Sequence, residues 1–336
     1  MFLQIYKMQV LISKIFLFLS CLKPLIMRKI YCIGETVYDI IFHNGKAIES
    51  RPGGPVLNTA VSLGRLNQEV YAVGDQADDA VGNIIADFLS TNNVSTKYLN
   101  LYQNAKSRIL LAFLNDENEP SYSFYKIRFD GELKINYSKP EHDDIVLYGS
   151  FTSIKKELRQ DFVNFLKQAK EVGALLIYDP NFRPAHIKLR DRVIDYIYEN
   201  IAYADIVKGS NEDFQNIFQT STALEIKQIA DKCACKNLIY TANKHGVHLF
   251  TENFHEIFNV PKIKPVSTVG AGDNFSAGLI YGLMQENVYV ENINNLDYEV
   301  WGKIMKTSID FAIEVCLTYD NYISHNFADT IKNKNS

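Results

Sequence analysis

Short apolar runs alternate with amphipathic stretches along most of the chain. The run at 30–34, closed by Gly34, predicts a buried strand, and 35–42 continues as a second strand with one acid, Asp39, among apolar neighbours. That acid needs partners, because an unpaired buried carboxylate is costly; backbone amides or a polyol could supply them. A Gly53-Gly54 turn leads into a helix that buries Leu57, Ala60, Val61 and Leu63, with Asn58 in its first turn facing a cleft. Residues 70–75 predict a strand, and 79–90 a helix with Val81, Ile84, Ile85 and Phe88 at helical spacing. Strands at 108–114, 121–128, 144–148, 174–178, 205–208 and 237–241 are then interspersed with helices at 155–172, 187–202, 212–218 and 223–233. Residues 247–250 and 256–260 pattern as a hairpin. This alternation predicts a mostly parallel sheet covered by helices on both faces. Ligands on such sheets bind beyond the C-terminal strand ends, where Gly149, Ser150, Asn181, Lys208 and Thr241 fall.

The most informative stretch is Thr268-Val269-Gly270-Ala271-Gly272-Asp273, running directly into a helical pattern that carries Phe275, Leu279 and Ile280 on one face. Gly270 and Gly272 can take backbone angles that larger residues avoid, turning amides toward one point at a helix N-terminus that favours an anion. Asp273 at the same spot is a poor phosphate ligand but a useful base. Amides that stabilise a phosphoryl group beside a proton acceptor make half of a phosphotransfer site. The alternative is a glycine-rich turn with Asp273 as a helix cap.

Composition narrows the field. The chain has 336 residues, 47% of them hydrophobic, and a net charge of only −4, which argues against disorder and against broad nucleic-acid binding. The five cysteines lack framework spacing, and Cys233 and Cys235 have no second ligand pair nearby, so reduced buried thiols are expected and zinc is not. Residues 1–26 form an apolar extension interrupted by Lys14 and Lys23. The stretch has the look of a crude signal peptide, with Cys21 in a loose lipoprotein-type box; its apolar core is too short to cross a bilayer. The preferred reading is a start at Met27, immediately before the first good strand, and a cytoplasmic protein without a membrane partner.

Three elements in order carry a resemblance: Gly53-Gly54 with Asn58, Asp179-Pro180-Asn181 with Arg183, and Thr268 to Asp273. On these the chain resembles the PfkB/ribokinase family of carbohydrate kinases from Met27 to about Thr318. The resemblance implies a ribokinase-like three-layer α/β/α core, here at 27–325, with a small β lid from strands at about 36–48 and 106–130, followed by a polar, frayed tail at 326–336. It implies ATP and Mg2+, with the metal bound mainly through ATP and Asp213 reaching it through water. It also implies a homodimer through the lid. By matching position, Asp273 is the general base and Gly270, Ala271 and Gly272 are the anion hole. Asp39, Gly53, Gly54, Asn58 and Arg183 fall at sugar-side positions. Lys208, Ser210, Thr241, Asn243, Gly246 and Thr268 fall at nucleotide-side positions.

Gly34-Glu35 with Asp39, and Ser123-Phe124-Tyr125-Lys126, are most similar to fructokinases, so fructose is the leading acceptor. Ribose, 2-keto-3-deoxygluconate and adenosine are the alternatives within the kinase class, and a non-catalytic sugar-binding relative is the alternative outside it. Four departures from the family pattern stand out. Ser267 replaces the acid that often serves a monovalent-cation site, which puts potassium dependence in doubt. Ser210-Asn211-Glu212-Asp213 replaces an Asn-x-x-Glu that helps organise magnesium. Asn243 stands where the nucleotide loop has glycine, a change that a left-handed turn tolerates. Thr318 to Tyr322 replaces a C-terminal Gly-Ala, which reshapes the expected adenine pocket.

Overall fold

The computed structural model describes residues 28–115, 120–125, 134–137, 139–220 and 222–334. The elements run in this order: β1 (Ile30–Ile33), β2 (Val37–His43), β3 (Lys46–Gly53), α1 (Pro55–Arg65), β4 (Val70–Ala77), α2 (Ala80–Thr91), β5 (Val94–Tyr102), β6 (Ile109–Leu114), β7 (Pro120–Tyr125) and β8 (Ile145–Gly149). They continue as α3 (Arg159–Glu171), β9 (Leu175–Asp179), α4 (Arg190–Tyr203), β10 (Ile206–Ser210), α5 (Asn211–Phe218), α6 (Ala223–Lys232), β11 (Asn237–Thr241), β12 (Val247–Phe250) and β13 (His255–Phe258). The last three are α7 (Ala271–Gln285), α8 (Tyr298–Cys316) and α9 (His325–Lys334).

Nine strands form one sheet in the order β13-β12-β11-β10-β9-β8-β1-β4-β5. Pairings from β11 through to β5 are parallel, and β12 and β13 add an antiparallel edge. Successive side chains of a strand point to opposite faces, so a strand buried on both sides is apolar throughout. Ile30 and Cys32 therefore join Val70, Ile145 and Leu175 in one core with α1, α7 and α8. Tyr31 and Ile33 join Val146, Tyr148, Leu176 and Tyr178 in the other, against α3 and α4. The result is three layers, helix–sheet–helix. The second sheet is small, in the order β3-β2-β6-β7, and contains the described parts of the expected lid strands. Residues 126–130, with Lys126 among them, lie outside the described residues, as does the N-terminal extension through Met27 with Cys21.

Three local expectations need correction. Strands β3 and β5 are absent from the hydrophobic pattern: β3 is exposed over its first five residues, and β5 is an edge strand whose residues are mostly half-buried. The helices expected from 155 and 187 begin as 3-10 turns, Phe151–Ile154, Lys156–Leu158 and Pro184–Leu189, with α3 and α4 starting only at Arg159 and Arg190. The tail is not frayed over its described part. It forms α9, which buries Ala328 and packs Phe327 and Ile331, four residues apart on one face, against the core. Among the described residues no helix is long and apolar enough to cross a membrane.

Candidate active site

The site forms where β8 and β9 end and α7 begins, with Lys208 reaching it from β10. Gly270 precedes α7 in the left-handed region, with φ 80° and ψ −6°. A Cβ there would lie 2.7 Å from the Asn321 carbonyl oxygen, so both the backbone angle and the space select glycine. The Ala271 amide is engaged by the Thr268 carbonyl at 3.3 Å. The Gly272 and Asp273 amides that follow have no carbonyl four residues back within the helix, whereas Asn274 N bonds the Gly270 carbonyl at 2.9 Å, so these two amides and the helix dipole favour an anion at this end.

Asp273 sits in that first turn and is 6% exposed. The Asn58 side-chain amide donates to its Oδ2 at 2.8 Å, and the Asn181 amide reaches Oδ1 at 3.4 Å. Thr59 Oγ1 donates to the Asp273 carbonyl at 2.8 Å, which locks α1 to α7. Burial pushes the Asp273 carboxyl above its ordinary value; the Asn58 bond and the charges of Arg183 and Lys208 pull the other way, and Asp179 adds to the rise.

Lys208 does not project into open space. Its buried ammonium bonds Asp179 Oδ2 at 2.7 Å and the Gly272 carbonyl at 2.9 Å, and Ser276 Oγ donates to the same Asp179 oxygen at 3.1 Å. The Lys208–Asp179 pair thus pins the start of α7 to the ends of β9 and β10. Ser150 and Asn181, at the ends of β8 and β9, are both left-handed, with φ 50° and 41°. Such non-glycine positions are held only where the surroundings fix them, and they cluster at binding sites. Both line a small cavity with Pro55, Thr59, Asp179 and Asp273.

Asp39 enters from β2. Gly53 lies against its carboxylate, and any Cβ at Gly53 would collide with Asp39 Oδ2. Gly54, with φ 109°, caps α1, the helix from which Asn58 reaches Asp273. Burial raises the Asp39 carboxyl to about 6, against the charge of Arg51 and a hydrogen bond from Asn321, with Asp273 raising it further. At this site, among the described residues, four buried acceptor oxygens have no protein partner: Asp39 Oδ1, Asn58 Oδ1, Asp179 Oδ1 and Asn181 Oδ1. Unpaired buried acceptors are expensive, and a group of them beside one carboxylate calls for a ligand rich in hydroxyl donors. Because Asp39 is ionised in both the folded and unfolded chain at pH 7 but prefers its proton when folded, Asp39→Asn should raise Tm at pH 7 while weakening acceptor binding. The gain should vanish as pH falls from about 6 toward the ordinary aspartate range. Thermal denaturation at pH 7 and pH 4.5 checks it.

Arg183 reaches solvent at the mouth. Local desolvation works against its charge, but the carboxylates of Asp213, Asp273, Asp179 and Glu212 outweigh it and raise its affinity for the proton. Ser210 and Asp213 close a capping box on α5: Ser210 N and Oγ both donate to Asp213 Oδ2, at 2.9 and 2.6 Å. Ser210 and Thr241 are register partners at the ends of β10 and β11. Asn243 is left-handed, φ 50°, as its position requires, and Gly246 follows with φ 102°. Among the described residues, no hydrogen bond joins Thr241, Asn243 or Gly246 to the Asp273 cluster; Thr241 Oγ1 donates to the Gly209 carbonyl at 3.4 Å.

Sequence reasoning passed over Glu35 as a side chain. It is buried and takes four donors: Ser150 Oγ at 2.6 Å, Phe151 N at 3.2 Å, Thr152 N at 3.0 Å and Thr152 Oγ1 at 2.7 Å. Burial opposes its charge, but these bonds, with Arg108 and Lys155, hold its carboxyl below the ordinary value. Its stabilising contribution is therefore present at neutral pH and lost as pH falls through that lowered value. Glu35→Gln would set an amide NH2 against donors, and should cost about 2–3 kcal/mol in a denaturant titration at pH 7.

The fold is a three-layer α/β arrangement around a mostly parallel sheet, with the candidate site beyond the ends of β8 and β9. The model of the pfkB family carbohydrate kinases matches residues 27–314, and the chain belongs to that family: it is a sugar kinase. It is 26% identical over 273 residues to a probable fructokinase-7 of Arabidopsis thaliana, covering 76% of this chain and 79% of the relative. It is 26% identical over 257 residues to a fructokinase of Vibrio alginolyticus, with 76% and 83% covered. Among solved structures, fructokinase from Vibrio cholerae O395 (a double mutant bound to fructose, ADP and potassium ion) aligns with TM-score 0.76 and 19% identity, covering 89% of this chain and 95% of that one. Aminoimidazole riboside kinase from Salmonella enterica, complexed with aminoimidazole riboside and an ATP analog, aligns with TM-score 0.75 and 18% identity, covering 91% and all of that chain. The fold is ribokinase-like.

Proposed function

We propose that the chain transfers the γ-phosphoryl group of ATP to a hydroxyl of fructose. The observation that carries the reading is the buried Asp273 carboxylate in the first turn of α7, one helix start shared by a base and anion-binding amides, with four unpaired acceptor oxygens around it. An acceptor hydroxyl within reach of Asp273 gives its proton to the carboxylate as its oxygen bonds to the γ-phosphorus. The bond to the bridging oxygen breaks and ADP leaves. The α7 amides and Arg183 face the charge that spreads over the phosphoryl oxygens. Gly53, Gly54, Asn58 and Asp39 shape the acceptor end; Ser210, Thr241, Asn243, Gly246 and Thr268 lie on the nucleotide side. Fructose is favoured over other acceptors by the fructokinase names of the relatives.

Divalent metal fits this site as a passenger of the triphosphate. Asp213 Oδ2 already accepts twice from Ser210, so the protein offers the metal little directly beyond water-mediated contact with Asp213. It would neutralise phosphate charge. A monovalent cation fits less well: Ser267 is neutral, and its Oγ accepts from Val269 N at 3.2 Å.

The test is ADP release from ATP and Mg2+ with fructose, ribose, 2-keto-3-deoxygluconate and adenosine compared at equal concentration. Fructose should give the highest kcat/KM. A clear preference for adenosine would move the chain to the nucleoside kinases, and acceptor-independent ADP release alone would remove the sugar-kinase assignment of the site.

A further inference from the structure

We propose that Asn321 is a positioning residue that ties the acceptor-binding carboxylate of Asp39 to the anion-binding turn at Gly270. The proposal rests on the kinase reading above. Asn321 lies in the segment between α8 and α9, which crosses the seam where the small sheet meets α7. It is buried, 3% exposed. Its side-chain amide donates to Asp39 Oδ2 at 3.3 Å. Its carbonyl accepts from Asn274 Nδ2 at 2.8 Å, the same amide that bonds the Gly270 carbonyl at 2.8 Å. One residue therefore touches both ends of the reaction.

The segment around it is fixed from α1 and β3. Ser62 on α1 accepts from Ile323 N at 3.2 Å and donates to Asn274 Oδ1 at 2.5 Å. Arg65 donates to the Ile323 carbonyl at 2.6 Å with its guanidinium 4.7 Å from the centre of the Tyr322 ring. Arg51, opposite Asp39 on the neighbouring strand β3, donates to the Tyr319 carbonyl and lies 3.7 Å from Asp320. With Oδ2 held by Asn321 and packed against Gly53, the Asp39 carboxylate is oriented with Oδ1 left to accept a hydroxyl. Asn321 thus sets how the acceptor is presented to the phosphoryl group, through Asp39 and without touching the acceptor itself.

Removing the amide should act on the acceptor side. Asn321→Ala keeps the main-chain bond to Asn274, so the turn at Gly270 is spared. Acceptor KM should rise roughly tenfold, the worth of one hydrogen bond to a charged group, while ATP KM stays unchanged. The acid limb of kcat/KM for the acceptor should also move to higher pH. The groups facing Asp39 are Arg51 from β3, Asp273 from α7 and Tyr322 and Asn321 from the crossing segment; removing only the Asn321 donor makes the Asp39 carboxylate harder to ionise. Asn321→Ser is measured beside it, in case alanine at this buried site unfolds the chain, and should fall between alanine and wild type. Folded variants whose acceptor KM and acid limb match wild type would overturn the role. Equal rises in acceptor and ATP KM would also overturn it, as the mark of a merely structural residue. A wild-type enzyme that turns over no acceptor would instead remove the kinase reading, and this role with it.

Discussion

Asp273→Asn should lower kcat with the acceptor by about 10²–10⁴-fold, the usual worth of a positioned base, with little change in either KM. The substitution is close to isosteric, and the site can absorb it. Asn58 Nδ2 can still donate to an amide oxygen, and the unpaired Asn181 Oδ1 can turn to accept from the new NH2. A loss confined to kcat marks a group that acts in the transition state and not in ground-state binding. In the wild type, the same carboxylate must be ionised to work. Because burial raises its proton affinity, kcat should fall on the acid side at a pH above the ordinary aspartate value, and Asp273→Asn should flatten that limb. Steady-state kinetics from pH 5 to pH 8 check both.

Gly270→Ala should abolish measurable turnover by a different route. The added Cβ meets the Asn321 carbonyl at 2.7 Å and its Cα at 3.0 Å, both main-chain atoms that cannot swing aside. The left-handed backbone adds about 1 kcal/mol of strain for any L side chain. The turn must shift, and with it the α7 amides that face the phosphoryl group. Removing a single such donor typically costs about 10²–10³ in kcat, and displacing the whole turn should cost more. Thermal denaturation should show a folded but less stable protein, which separates a displaced turn from general unfolding.

The parts of this site that can be read along the chain are those whose chemistry is local. The Gly270 to Asp273 turn, the left-handed Asn243 and the strand ends at Ser150 and Asn181 are all legible because glycine content and strand–helix alternation are short-range properties, whereas Lys208, expected at a strand end, lies in the middle of β10. Partners are not legible. Lys208 carries a nucleotide-side expectation, yet its ammonium is committed to Asp179 and the Gly272 carbonyl, a pairing that exists only once β9 and β10 lie parallel and side by side. Glu35 shows the same limit, since its four donors lie at the start of the 3-10 turn after β8, more than a hundred residues away. Asn321 and Arg51 sit on segments with no periodicity to mark them. By contrast, the only local mark of α9 is the i, i+4 spacing of Phe327 and Ile331, set among polar neighbours that pattern as a tail. Strand β3 escaped because its exposed half carries no apolar alternation, although its last residues hold Arg51 and Gly53 against Asp39.

The most direct test of the account is whether a phosphate ester forms. Wild-type protein with ATP, Mg2+ and fructose, followed by phosphorus NMR, should show a new sugar phosphate resonance growing in step with ADP. Asp273→Asn, run alongside, should suppress both. ATP consumed to free phosphate with no ester, or an ester formed equally well by Asp273→Asn, would contradict the claim that this helix start joins a base to an anion hole for phosphoryl transfer.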